Sequence, residues 1–247
     1  MHLVIDVENT VTDRGGKMHL DPYEPTNTLT MVGLGNADTE GKPHVFTFDH
    51  AEVPSQDATK LKSILKQAKL VIMHNAQHDL QWLWACGFEF DCDIYDTMLA
   101  EYILQRGEKE PLSLEACAIR HDLPTKKEGT LKHYFDKGVG VDGIPRDELK
   151  EYLSADLNAT QQLCDLQNKR LNSTKDAGLM STVVFTNKVS VALAKIYRRG
   201  FKVDTDTLNS VETEFQKEKS EIEQRLKMQV KDLMGDTPIN LNSPEQM

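Results

Sequence analysis

The chain has 247 residues, with 29 Lys and Arg against 39 Asp and Glu, a formal net charge of −10. So acidic a balance excludes a protein that grips DNA or RNA through a broad basic face, because neutralising phosphates needs clustered cations. The surplus is uneven: from Ser181 onward 10 basic and 10 acidic residues cancel, so residues 1–180 hold the whole deficit, 19 against 29.

In chain order, His2–Val7, Leu29–Gly35 and His44–Phe48 are rich in β-branched and aromatic residues and are separated by Gly, Pro, Asn and Asp clusters, which predicts an antiparallel meander. Asp57–Lys69 places Leu61, Ile64, Leu65 and Ala68 at helical spacing. Leu70–Met73 is too short for a helix and reads as a strand; a helical stretch through Leu80, Leu83 and Trp84 follows. Ile94 marks a last strand before a helix from Thr97 to Gln105, and Ser113 is a cap for the next. Between Leu123 and Pro145 two prolines and four glycines interrupt any periodicity, which predicts a mobile loop. A helix is expected from Arg146 past Tyr152 and Asp156 to Leu171, a connector over Asn172–Leu179, then helices over Thr182–Arg199 and Thr207–Met234. Strands followed by β-α-β predict an α/β fold, a mixed sheet flanked by helices, with a helical C-terminal segment. The domain boundary falls at about residue 175, giving 1–175 and 176–247.

Three carboxylate patterns stand out. Asp6 and Glu8 are two apart on the first strand, so both point to one face while Ile5 and Val7 point to the other. Two neighbouring carboxylates repel, and a divalent cation removes the conflict. Asn75 and Asp79 follow the run Leu70–Met73, four apart and on one face of a helix starting there. Tyr152 and Asp156 repeat that spacing on a later helix. Each has an ordinary account by itself: a strand end, a helix cap with a first-turn acid, a surface pair. Their conjunction and order carry the weight, because four carboxylates and a phenol so arranged can converge at one end of a sheet. An all-oxygen set suits Mg²⁺ or Mn²⁺.

Asp6-Val7-Glu8, Asn75-Ala76-Gln77-His78-Asp79 and Tyr152-Leu153-Ser154-Ala155-Asp156 resemble the three motifs of the DEDD 3′–5′ exonucleases, tyrosine subclass. Tyr95–Leu104 and Asp156–Leu163 resemble the flanks of the second and third motifs in the proofreading domains of family A DNA polymerases. Leu193–Asp204 is similar to the lead into their polymerase domain, and Asn240–Met247 to the segment beyond the first thumb helix. Starting at the first exonuclease strand resembles phage polymerases more than long bacterial ones.

The resemblance implies an RNase H-like fold and phosphodiester hydrolysis with two divalent cations, Mg²⁺ or Mn²⁺. It implies that Asp6, Glu8, Asp79 and Asp156 are metal ligands, that Tyr152 orients the attacking water, and that His74 and Asn75 contact the terminal nucleotide. The expected substrate is the 3′ end of single-stranded or frayed DNA, in proofreading during replication. Phe88, Phe90, Tyr134 and Phe135 are candidate stacking groups, and Lys126, Lys127, Lys132 and Lys137 could close on the strand. Competing readings are a non-catalytic scaffold, an RNA-trimming enzyme, and a subunit docking onto a separate polymerase half; the remaining polymerase domain, in cis or as another chain, is the expected partner. No apolar run nears the roughly 20 residues of a bilayer span, and Met1–Asp6 does not continue as a signal peptide. Four cysteines without a Cys-x-x-Cys pair argue against zinc and for a reduced, cytoplasmic setting.

Overall fold

The computed structural model describes residues 1–38, 41–52, 55–56, 58–124 and 131–235. They form two compact units, Met1–Arg199 and a second that begins at Gly200. In the first, β1 (His2–Asn9) leads into a short ribbon, β2 (Thr12–Arg14) and β3 (Lys17–His19), and then β4 (Leu29–Asn36) and β5 (His44–Thr47). Next come α1 (Thr59–Leu65), β6 (Leu70–Met73), α2 (Ala76–Ala85), β7 (Asp93–Asp96), α3 (Thr97–Leu104), α4 (Leu114–Arg120) and α5 (Lys132–Phe135). Two long helices complete the unit, α6 (Arg146–Leu171) and α7 (Met180–Arg199).

The main sheet has five strands in the order β5-β4-β1-β6-β7. The strands β5, β4 and β1 form the expected antiparallel meander, and β6 and β7 add to it in parallel. The ribbon β2–β3 interrupts the meander and has no strong sequence signal, since its residues are mostly polar and largely exposed. The fold is RNase H-like, a mixed sheet between helices.

Alternation along the strands gives the sheet two apolar faces. Leu3, Ile5 and Val7 of β1 join Val32, Leu34, Val71 and Met73 against Leu61 and Leu65 of α1 and Leu80 and Leu83 of α2. Val4, Met31, Ile72 and Tyr95 point the other way, to Leu149, Leu153 and Leu157 of α6. Asp6 and Glu8 share the parity of Val4, so β1 presents both acids on the α6 face.

One glycine sets how close α6 comes. Gly33 of β4 is paired directly with Asp6. A Cβ there would lie 2.6 Å from Leu157 Cδ1 and 2.9 Å from Leu153 Cγ, so α6 occupies the place of the missing side chain. Asp156 sits between those two leucines in sequence.

The stretch Leu123–Pro145 departs from the expected loop. Residues 125–130, with Lys126 and Lys127, lie outside the described residues. Beyond them Leu131, Val141 and Ile144 are buried, α5 forms a turn, and Tyr134 Oη donates to Glu148 at 2.9 Å. His50 Nε2 bonds the Ile144 carbonyl at 2.8 Å, fastening the segment under α6. Apolar residues spaced too irregularly to show a period still find core positions here.

α7 lies in the first unit, past the expected boundary at residue 175. It packs against α2, α3 and β7, buries Val183, Asn187 and Ala194, and sets Arg198 2.6 Å from Glu89. The second unit is described through α8 (Thr205–Met234), whose first turn is capped by Asp204 accepting from Thr207 N at 3.1 Å. Among the described residues no helix is long and apolar enough to cross a membrane, and all four cysteines are free thiols.

Gly33→Ala should cost about 1–3 kcal/mol, the usual penalty for forcing a methyl group into a filled core. Urea unfolding measures it as a lower midpoint; an unchanged midpoint would show that α6 can rise from the sheet freely.

Candidate active site

The acids converge where β1 leaves its parallel partner. The β1–β6 ladder covers only His2–Val4 against Leu70–Ile72, so the distal half of β1, with Asp6 and Glu8, runs on past it. Here α6 crosses on the same face, and one carboxylate oxygen each from Asp6, Glu8 and Asp156 lies within 4.8 Å of the others. All three residues are half-buried. Like charges this close are unfavourable in a partly desolvated place, and an oxygen-only donor set of this kind fits a hard divalent cation.

Asp79, in the first turn of α2, is 2% exposed. Burial foremost, and then the charges of Asp6, Asp96 and Glu8, raise its pKa well above the ordinary carboxylate value, against a single opposing bond from the Val7 N–H. Its carboxyl therefore belongs electrostatically with the other three. Tyr152 lies one turn before Asp156 on α6, half-buried against the apolar residues of that face.

The two residues expected at the nucleotide are placed differently from each other. His74 directly follows β6 with both ring nitrogens engaged, Nδ1 with Thr97 Oγ1 at 2.9 Å and Nε2 with the Leu112 carbonyl at 2.8 Å. Burial lowers its pKa, with the Leu112 carbonyl and the charges of Asp96 and Asp156 opposing. The Asn75 side chain is exposed, and its backbone is left-handed at φ 67°.

Asn75 occupies the N-cap position of α2 without making a side-chain cap bond. The cap comes from Asp96, whose carboxylate accepts from Asn75 N at 3.0 Å and Ala76 N at 2.9 Å. The same group caps α3, accepting from Met98 N at 2.9 Å and Leu99 N at 3.4 Å. An Asp directly before an apolar helix was the available signal, though nothing local shows that it serves a second helix.

A second buried group supports α6. Glu101, 1% exposed, accepts from Gln167 Nε2 at 3.0 Å, Arg120 Nη1 at 3.0 Å and His121 Nε2 at 2.8 Å. Gln167 also donates to the Thr97 carbonyl at 2.9 Å, joining α3, α4 and α6. Burial alone would raise the Glu101 carboxyl, but the bonds from Gln167, His121 and Arg120 outweigh it and hold it below its ordinary value.

Of the expected stacking groups, Phe88 is buried in the core on the face opposite α6, and Phe90 packs beside it. Their apolar neighbours claim them, and neither is offered to a strand. Phe135 is exposed, as are Lys132 and Lys137.

A mixed sheet that gathers acids from its first strand and the helix crossing it defines the class as an RNase H-like domain. The family model described as 3′–5′ exonuclease matches residues 17–172, and the chain belongs to that family. No curated protein sequence matches it. Among solved structures, Brucella melitensis NrnC bound to pGG is 19% identical, with a TM-score of 0.57 over 78% of this chain and 83% of that one. NrnC has also been solved with bound Mg²⁺. The POL domain of M. smegmatis Pol1, in complex with DNA primer-template and dNTP, is 18% identical with a TM-score of 0.59, over 99% of this chain and 35% of that one. Escherichia coli RNase D, an exoribonuclease involved in structured RNA processing, is 16% identical with a TM-score of 0.53, over 87% of this chain and 49% of that one. At these identities the likeness shows the fold.

The Glu101 network yields a pH dependence. Its carboxyl titrates lower in the folded chain than unfolded, so its contribution to stability is complete above the unfolded value and is lost as pH falls through the folded one. Urea midpoints taken from about pH 6 to about pH 3 should fall less steeply for Glu101→Gln than for the wild type. Parallel curves would assign no such role to Glu101.

Proposed function

We propose that this chain hydrolyses the terminal phosphodiester of single-stranded or frayed DNA from the 3′ end, releasing nucleoside monophosphates, as the proofreading part of a family A DNA polymerase in replication. One observation carries the reading: Asp6, Glu8 and Asp156, brought from a strand and a distant helix, offer oxygens within 4.8 Å of one another. Membership of the 3′–5′ exonuclease family supports it.

In this reading Asp6, Glu8, Asp79 and Asp156 hold two divalent cations, Mg²⁺ or Mn²⁺, and the oxygen-only set suits both. Bound there, the cations supply Lewis-acid activation of water and neutralise charge on the leaving 3′-oxygen. Tyr152, a phenol neutral near pH 7, hydrogen-bonds the attacking water and fixes its line of approach. Asn75, exposed at the start of α2, contacts the terminal nucleotide. His74, with both ring nitrogens engaged, shapes the wall against which that nucleotide rests. The acidic surface disfavours a long duplex and leaves the narrow site to a frayed end.

The polymerase domain is the proposed partner, in cis or as a separate chain in the same cytoplasm. The exposed apolar residues of α7 (Phe185, Val189, Leu193, Ile196) and of α8 (Leu208, Phe215) are surfaces it would cover. A second reading, RNA trimming, is favoured by the likeness to RNase D and to NrnC bound to pGG.

Labelled single-stranded DNA, frayed duplex and RNA of the same sequence, each with Mg²⁺, Mn²⁺ or chelator, test both. Mononucleotides should appear from DNA with either cation and vanish with chelator. Asp6→Ala should lose on the order of a hundredfold in rate, as expected when several kcal/mol of transition-state stabilisation go. Equal products from Asp6→Ala and wild type, or none from wild type, would sink the assignment; faster cleavage of RNA would install the second reading.

A further inference from the structure

Beyond Val4 no ladder with β6 guides the distal half of β1, yet Glu8 near the end of β1 and Asp79 on α2 must keep a fixed spacing if they share a site. The structure holds a side-chain clip at this gap. Asn9, the last residue of β1, follows a break in register with β4 at Glu8/Asn9 and is 6% exposed. Its Nδ2 donates to the Thr10 carbonyl at 2.8 Å and, more distantly, to the Leu20 carbonyl at 3.4 Å. Two carbonyls on the amide nitrogen fix which way the side chain faces, so Oδ1 is left to accept. It accepts from His78 Nε2 at 2.9 Å. His78 immediately precedes Asp79 on α2. One turn further along α2, Trp82 Nε1 donates to the same Leu20 carbonyl at 3.0 Å. Asn9 and the Leu20 carbonyl thus fasten three segments together: the strand carrying Asp6 and Glu8, the helix carrying Asp79, and the chain leaving β3.

We propose that Asn9 is a positioning residue for the metal-binding carboxylates, acting through His78 to hold Glu8 and Asp79 at the spacing that two divalent cations require. This rests on the reading of the site given under Proposed function. Three facts support it together. The clip ties the end of β1 to α2 on the side where pairing with β6 has ended. Its acceptor can turn nowhere else without facing one carbonyl with another. And it joins residues adjacent in sequence to two of the four acids, so a shift at either end passes through a single peptide unit to a ligand. The physical parallel is the hydrogen-bonded partner around a metal ligand, whose loss typically costs roughly 10- to 100-fold in affinity.

Mn²⁺ binding followed by electron paramagnetic resonance tests it without relying on turnover. Wild type, Asn9→Leu, His78→Phe and the double variant are titrated with Mn²⁺, and their thermal midpoints are recorded beside the titrations. Each single variant should bind Mn²⁺ about tenfold more weakly, and the double variant no more weakly than the worse single one, because one bond is lost in all three. The Mg²⁺ concentration for half-maximal cleavage should rise in step. Mn²⁺ affinity unchanged in folded His78→Phe, or losses that multiply in the double variant, would overturn the positioning role while leaving the nuclease reading intact. Failure of wild type itself to bind Mn²⁺ would overturn both.

Discussion

The arrangement depends on one buried carboxylate. Helix starts leave backbone N–H groups without intrahelical partners, and α2 and α3 both start at the same end of the sheet, where β6 and β7 finish side by side with Met73 opposite Asp96. Asp96 accepts from the first N–H groups of both helices. A buried anion is tolerable when several donors surround it, and helix N-termini supply favourable potential as well as donors. Asn75 can then take a left-handed turn and keep its own side chain outside. The start of α2 is fixed from a neighbouring strand, and with it the depth at which Asp79 stands.

Around that fixed point the fold gathers charge it would otherwise avoid. Three acids share one small volume, and a fourth is buried close enough to Asp6 and Glu8 for their charges to raise its pKa. Nothing in packing alone asks for this. The acids stay together because rigid neighbours hold each of them: β1 by its pairing with β4, α6 by its contact with Gly33 and by the Gln167–Glu101 bond, and α2 by Asp96. Repulsion borne by a stiff scaffold keeps the oxygens preorganised at fixed spacing.

Much of this was legible in the sequence, for reasons that differ by element. The bounds of β6 and α6 follow from sharp changes in periodicity, and the parity of Asp6 and Glu8 follows from the period of a strand. The grouping of Asp6, Glu8 and Asp156 was readable from motif order. What escaped is non-local. Whether Asn75 or Asp96 caps α2 depends on which strand ends beside it. Phe88 offers the same aromatic ring to a core as to a nucleotide, and only the fold decides between them. Gly33 is one glycine among 14 until α6 is laid across it. The polar ribbon β2–β3 carries no hydrophobic alternation to announce it.

The crossing of α6 over β1 also bears on how the chain folds. Antiparallel pairing of β1 with β4 joins residues of moderate separation, whereas Asp156 and Asp6 are brought together across 150 positions of sequence. Contacts of such long sequence separation close late, because the loop entropy they cost is recovered only when the core beneath them already exists. The acidic cluster therefore depends on α6 being seated on the sheet, and local loosening of α6 would part Asp156 from Asp6 and Glu8. A chain folded only as far as its sheet would carry every acid and still not bring Asp156 to Asp6 and Glu8.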